Sequence, residues 1–209
     1  MPKKPPRKPK KNKLTKQPIN PITFTIMKRI LTLCAVLLMA ATAVAQTGAK
    51  RYGIKSGSYK TEMDMMGQAI VQTTFFDDYG AKEVTEMDMM GMQMTQLTRD
   101  GKTYFINKGD KSVQEMPGRE SINFLNLTDE VIAKNKIKEA GKETVAGKEC
   151  TVYNLEGNQM GQTVKMTVST WNGFAMKTVI NSDFGAFTTK VTEIKEGPVD
   201  AAKFEIPKF

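Results

Sequence analysis

Histidine is absent from the chain, and with it every catalytic arrangement that needs an imidazole: Ser-His-Asp and Cys-His nucleophiles, helix-borne zinc peptidase motifs and His-ligated catalytic metals. Cysteine is nearly absent. Cys34 and Cys150 are the two present, too few for a zinc ribbon or a Cys-x-x-Cys redox pair. Cys150 lies in the alternating stretch KECTVY and reads as a small buried core residue. A phosphate loop is also missing. The nearest approach, GKETVAGKE at 141–149, has one residue too many between its glycines and places Glu149 where Ser or Thr would meet magnesium, so it reads as a β-turn. Carboxylates remain as the acid/base groups. Glu62 and Asp64, like Glu86 and Asp88, alternate with Met along a strand and share one face, which fits a solvated surface rather than a catalytic pair. The chain is expected to be non-enzymatic, without a cofactor or a resident metal.

Acids are missing from the first 45 residues. Residues 1–26 are a Lys- and Pro-rich stretch whose composition cannot bury enough apolar surface to order itself; they read as a disordered basic extension or a mis-assigned start. Residues 27–45 form a signal peptide. Lys28 and Arg29 precede an apolar run from Ile30 to Ala41 that is too short for a membrane span, and Ala43-Val44-Ala45 is a small-residue cleavage site. Cys34 follows Leu33 only five positions after Arg29, which does not fit a lipidation site. Cleavage leaves residues 46–209 as one domain with a single cysteine, so disulfides do not hold the fold. It also removes ten of the 31 basic residues, leaving 21 against 22 acids. The basicity of the whole chain therefore gives no argument for nucleic acid, and the expected location is the periplasm.

What the sequence does have is methionine. TEMDMMG occurs at 61–67 and again at 85–91, and these copies with the following MQMTQ hold eight of the fifteen Met. The surrounding sequence reads as consecutive strands: one from Tyr52 to Met66, QAIVQTTFFDD, a third running AKEVTEMDMMGMQMTQLT with a bulge at Gly91, then KTYFINK. Turns are expected at Asp77 to Gly80 and at Arg99-Asp100-Gly101. Thr128 is a credible N-cap for a short helix carrying Asp129 and Glu130 in its first turn and Val131, Ile132 and Ile137 on its apolar face. Strands resume after it, turning at Ala146-Gly147, at Asn172-Gly173 and near Asp183 to Gly185. The fold class is mainly β: a single curved antiparallel sheet forming a half-barrel or open barrel with one or two short helices.

Alternation places Met63, Met65, Met87 and Met89 on the face opposite the acids, and Met92 and Met94 rejoin them after the bulge. Thioethers gathered on one face have three readings. They are an ordinary core; or an adaptable floor for floppy apolar groups, joined by Phe75, Phe105 and Trp171; or a soft Cu(I) site.

The succession GKETVAGKECTVYNLEG, VSTWNGFAMKTVI and VDAAKFEIPKF, preceded by IKSGSYKTEM and TTFFDDYGAKEVTE, resembles periplasmic proteins related to the outer-membrane lipoprotein carriers LolA and LolB, in an uncharacterised branch. The resemblance rests on Gly147, Cys150, Tyr153, Trp171, Phe204 and Pro207 in that order. It implies an incomplete β-barrel around an apolar cavity with helices as a lid. The function expected is binding of a lipid or a lipoprotein acyl chain on the concave face, by a monomer in transient contact with the cell envelope. The alternatives are Cu(I) binding by the Met-rich repeats, or a structural or assembly domain with a closed core.

Overall fold

The computed structural model describes residues 50–209 apart from 66–67, 90–91, 117–120, 160–161 and 183–184, and leaves out the side chains of 65, 68, 89, 92, 158, 159, 162, 182, 185 and 186. The basic extension, the signal peptide and its cleavage site lie outside the described residues. Eleven strands form one sheet: β1 (Gly57–Met65), β2 (Gln68–Asp77), β3 (Lys82–Met89), β4 (Met92–Arg99), β5 (Lys102–Asn107), β6 (Ser112–Met116), β7 (Lys138–Val145), β8 (Lys148–Gln159), β9 (Gln162–Trp171), β10 (Phe174–Ser182) and β11 (Gly185–Glu196). Their order is β6-β5-β4-β3-β2-β1-β11-β10-β9-β8-β7. Every neighbouring pair is antiparallel, so two meanders join where β1 meets β11. The sheet does not close, and β6 and β7 are its edges.

Local chemistry explains the turns. Asp100-Gly101, Ala146-Gly147 and Asn172-Gly173 each pair two positive φ angles, the backbone of the primed hairpin turns whose twist matches that of the flanking strands. Gly173 has a second constraint, because a Cβ there would lie 2.0 Å from the carbonyl oxygen of Arg51. Helix α1 spans Asp129–Asn135, with the Thr128 hydroxyl accepting from the Val131 N–H. Beyond it Lys136 takes a left-handed conformation.

Two expected strand boundaries are corrected. Tyr52 and Ile54 precede β1 and are buried. The stretch 81–98 is not one bulged strand; it is the β3–β4 hairpin, with Met89 opposite Met92 and Met87 opposite Met94. A two-residue connection shifts the apolar alternation by one position, as a bulge would, so only the pairing distinguishes them. Met90 and Gly91 themselves lie outside the described residues. Each copy of TEMDMMG is thus a strand running to a hairpin, the first paired through Met65 and Gln68.

The sheet curls until Phe76 of β2 and Val145 of β7 share one buried cluster with Tyr52, Ile54, Cys150, Phe174, Met176 and Val191. A second cluster of Val84, Leu97 and Ile106 is covered by Phe204 from the C-terminal segment. In a third, Ile122, Phe124, Leu127, Val131 and Ile132 of the β6–β7 connection pack on Leu155 and Val168.

Candidate functional site: the inner face of the sheet

Residues opposite each other in a ladder share a face, and the register traces that face across the sheet. One row runs Asn107, Met94, Met87, Gln72, Thr61, Val191. Its neighbour runs Ile70, Met63, Thr189, Thr178, Val168, Tyr153. This face carries Tyr59 and Phe76 of the curled cluster and is covered over β8 and β9 by the α1 connection. It is the inner face.

Charge divides sharply between the two sides. Among the described residues of β1 to β5, the inner face has one charged side chain, Glu83. The outer face of the same strands carries Lys60, Glu62, Asp64, Asp77, Lys82, Glu86, Asp88, Arg99 and Lys102. The four acids flanking Met in the two repeats all point outward, as the alternation requires.

The expected ligand residues divide accordingly. Met63 and Met87 are inner-face residues exposed by only 4% and 6%, Met94 is half-buried opposite Met87, and Phe105 is half-buried opposite Gln96. Met65, Met89 and Met92 occupy strand positions at the hairpin ends of the same strands, with side chains outside the described ones. Phe75 is corrected. It sits on the outer face opposite Val84, within the C-terminal cluster, with the Lys203 ammonium 4.3 Å from its ring centroid. A count along the strand could not reveal this, since TTFFDD places two aromatics on opposite faces and only Phe76 turns inward. Trp171 belongs to the closed end, stacked on Phe174 with Lys148 over its ring.

That closed end holds a group sequence reasoning missed. Glu83 is buried, accepting from the Tyr52 hydroxyl at 2.5 Å and from Arg51 Nη1 at 2.5 Å. Tyr52 stacks on Phe174 at 3.9 Å and meets Phe76 edge-on. Backbone bonds from Arg51 and Tyr52 to the Tyr79 carbonyl, and from Gly53 to the Asn172 carbonyl, fix the entering chain. Burial and the nearby Glu83 charge push the Tyr59 hydroxyl up to about 12 and Tyr52 well above the ordinary range. The segment plugs one end of the inner face with aromatic rings and a neutralised carboxylate.

A second missed residue is Gln72, whose Oε1 is buried without a hydrogen-bond partner among the described residues. It stands between Thr61 and Met87. Of the nearby hydroxyls, Thr74 is engaged with Thr85 at 2.8 Å. Only register identifies these neighbours, so no signal in the sequence pointed to it. A separate cleft of about 280 Å³ opens on the outer side between β1, β11 and the C-terminal segment, lined by Phe75, Lys195, Glu196, Val199, Asp200 and Lys203 among others. Its mixed charges do not suit an acyl chain. Among the described residues no group of acids and Cys could hold a metal ion.

No protein-family model matches the chain, and no curated protein sequence matches it. Among solved structures, a chain of the Pseudomonas aeruginosa MucA/MucB complex aligns with a TM-score of 0.50 and 13% identity over 73% of this chain and 56% of its own. This chain therefore spans little more than half the length of that relative. An uncharacterised conserved protein from Thermus thermophilus aligns at 0.52 with 9% identity, over 85% of this chain and 95% of its own. A putative outer membrane lipoprotein-sorting protein domain from Vibrio parahaemolyticus gives 0.39 and 11%, over 77% and 94%. At such identities the likeness concerns the fold.

Proposed function

We propose that this is a non-enzymatic periplasmic protein that holds a lipid or lipoprotein acyl chain on the inner face of its sheet. The observation that carries the reading is the near-absence of charge from that face over β1 to β5, while the reverse of the same strands is densely charged. Half-buried Ile70, Met94 and Phe105 border the buried Met63 and Met87, and unbranched thioethers repack around chains of varied shape. Burying an acyl chain contributes roughly 0.8 kcal/mol per methylene, so binding needs no precisely placed polar chemistry and no histidine. The α1 connection covers the β8–β9 part of the face and acts as a lid in this reading. Among the described residues no helix is long and apolar enough to cross a membrane.

The test is native mass spectrometry and lipid extraction of protein purified from the periplasm of its own host, with titration of a fluorescent fatty acid. Co-purified lipid and saturable probe binding, reduced by Met94→Glu, are expected. Absence of both lipid and probe binding assigns the methionines to a closed core.

A further inference from the structure

The register makes the two methionine copies inequivalent. In the second, Gln72 of β2, Met87 of β3 and Met94 of β4 stand directly opposite one another on the inner face. Met87 is buried, Met94 is half-buried, and the Gln72 Oε1 lacks a hydrogen-bond partner among the described residues. In the first copy Met63 faces Ile70 on one side and Thr189 on the other, so neither a sulfur nor an amide stands directly opposite it.

We propose that Met87, Met94 and the Gln72 Oε1 form a binding site for a soft monovalent cation, Cu(I). Side chains opposed across adjacent strands have Cβ atoms about 5 Å apart, so Gln72 and Met94 each stand within side-chain reach of Met87, which lies between them. Thioether sulfur selects Cu(I) over harder ions, and an amide oxygen serves as a weak further ligand where sulfur dominates. The orphaned acceptor is an independent sign, because a buried carbonyl oxygen with no donor is a costly state that a cation relieves. The amide oxygen at the far end of the row is already engaged. Asn107, beyond Met94, accepts from the Gly109 and Asp110 N–H groups at 2.9 and 3.2 Å. No carboxylate draws a hard ion to the spot: Asp88 faces outward opposite Gln93, and Glu86, also outward, binds Lys203 at 2.9 Å. The ion enters from the Met94 side, and Met89 paired with Met92 continues the methionine ladder toward the hairpin end. The site shares Met87 and Met94 with the acyl-chain floor but does not rest on that reading, since copper binding and lipid binding are measured separately.

The experiment uses the exported chain and Cu(I) held anaerobically by bicinchoninate, a coloured Cu(I) chelator. The protein at micromolar concentration is expected to withdraw a single equivalent. Met87→Leu with Met94→Leu, which keeps core volume, abolishes the withdrawal; Gln72→Leu weakens it roughly ten-fold; Met63→Leu retains it. Ag(I), a stable mimic, is expected to shift the methyl NMR signals of Met87 and Met94 in the unsubstituted protein and leave that of Met63 in place, a readout independent of how the variants fold. The proposal is overturned if no Cu(I) leaves the chelator, or if Met63→Leu weakens binding as much as the paired substitution does.

Discussion

Glu83 shows how much one buried side chain can hold. It receives the Tyr52 hydroxyl and the Arg51 guanidinium, and both ionic side chains are almost fully enclosed, at 12% and 9% exposure. Removing one partner of a buried pair costs more than the pair contributes, because the other charge stays buried without its counter-ion. Glu83→Ala is therefore expected to lower stability by about 3–5 kcal/mol in urea unfolding. A loss under about 1 kcal/mol would place this pair in the class of exposed ion pairs. The same residue keeps the inner face electrically neutral, since its one charge is committed to the entering segment rather than to the region around Met87.

At the scale of elements, the C-terminal segment acts as a clamp on the outer face. A single 3-10 turn, Ala201–Phe204, is capped by the Asp200 side chain accepting from the Ala202 N–H at 3.0 Å. It lays Phe204 onto Val84, Leu97 and Ile106. Arg99 donates to the Phe204 carbonyl at 2.9 Å, and Lys203 reaches Glu86. Phe204 is 3% exposed, so Phe204→Ala should destabilise by about 3–5 kcal/mol through lost burial and the cavity left behind. Thermal and urea unfolding measure this. Unchanged stability would show that the segment rests on the sheet without holding it. By covering the apolar outer patch of β3 to β5, the clamp leaves the opposite face as the one available to a ligand.

At the scale of the molecule, the closed end should set the alkaline limit. Burial, reinforced by the Glu83 charge, raises Tyr59 to about 12. The folded protein thus favours the neutral phenol. That contribution is whole below the ordinary tyrosine pKa near 10 and is lost as pH rises through about 12. Absorbance at 295 nm should show some of the five tyrosines ionising late, together with collapse of the near-ultraviolet circular dichroism; a single step near pH 10 would contradict the buried arrangement. On the acid side the sign reverses. Hydrogen bonds from Lys195 and Lys60 hold Glu193 at about 2, so its contribution is present above the usual glutamate range near 4.3 and lost as pH falls through about 2. This exposed network responds to salt, and the Glu83 cluster responds much less.

Sequence alone determined the elements whose causes are local. Alternation specified strands, Asn172-Gly173 and Ala146-Gly147 specified their turns through residues that accept positive φ, and Thr128 specified the start of α1. It also determined the outward acids of each repeat and the inward Met63 and Met87, because side chains alternate along any strand. Tertiary structure decided what depends on which strand lies beside which. It turned the expected bulge at Gly91 into a hairpin, set Met87 against Met94 and Gln72, left Met63 against Ile70, and moved Phe75 to the outer face beneath the C-terminal clamp. It also buried Glu83 against Arg51 and Tyr52, 32 and 31 residues away. Propensity and alternation act within a few residues, whereas ladder register and the covering of a face are settled by contacts between residues remote in the chain, whose energies appear only once the sheet has curled.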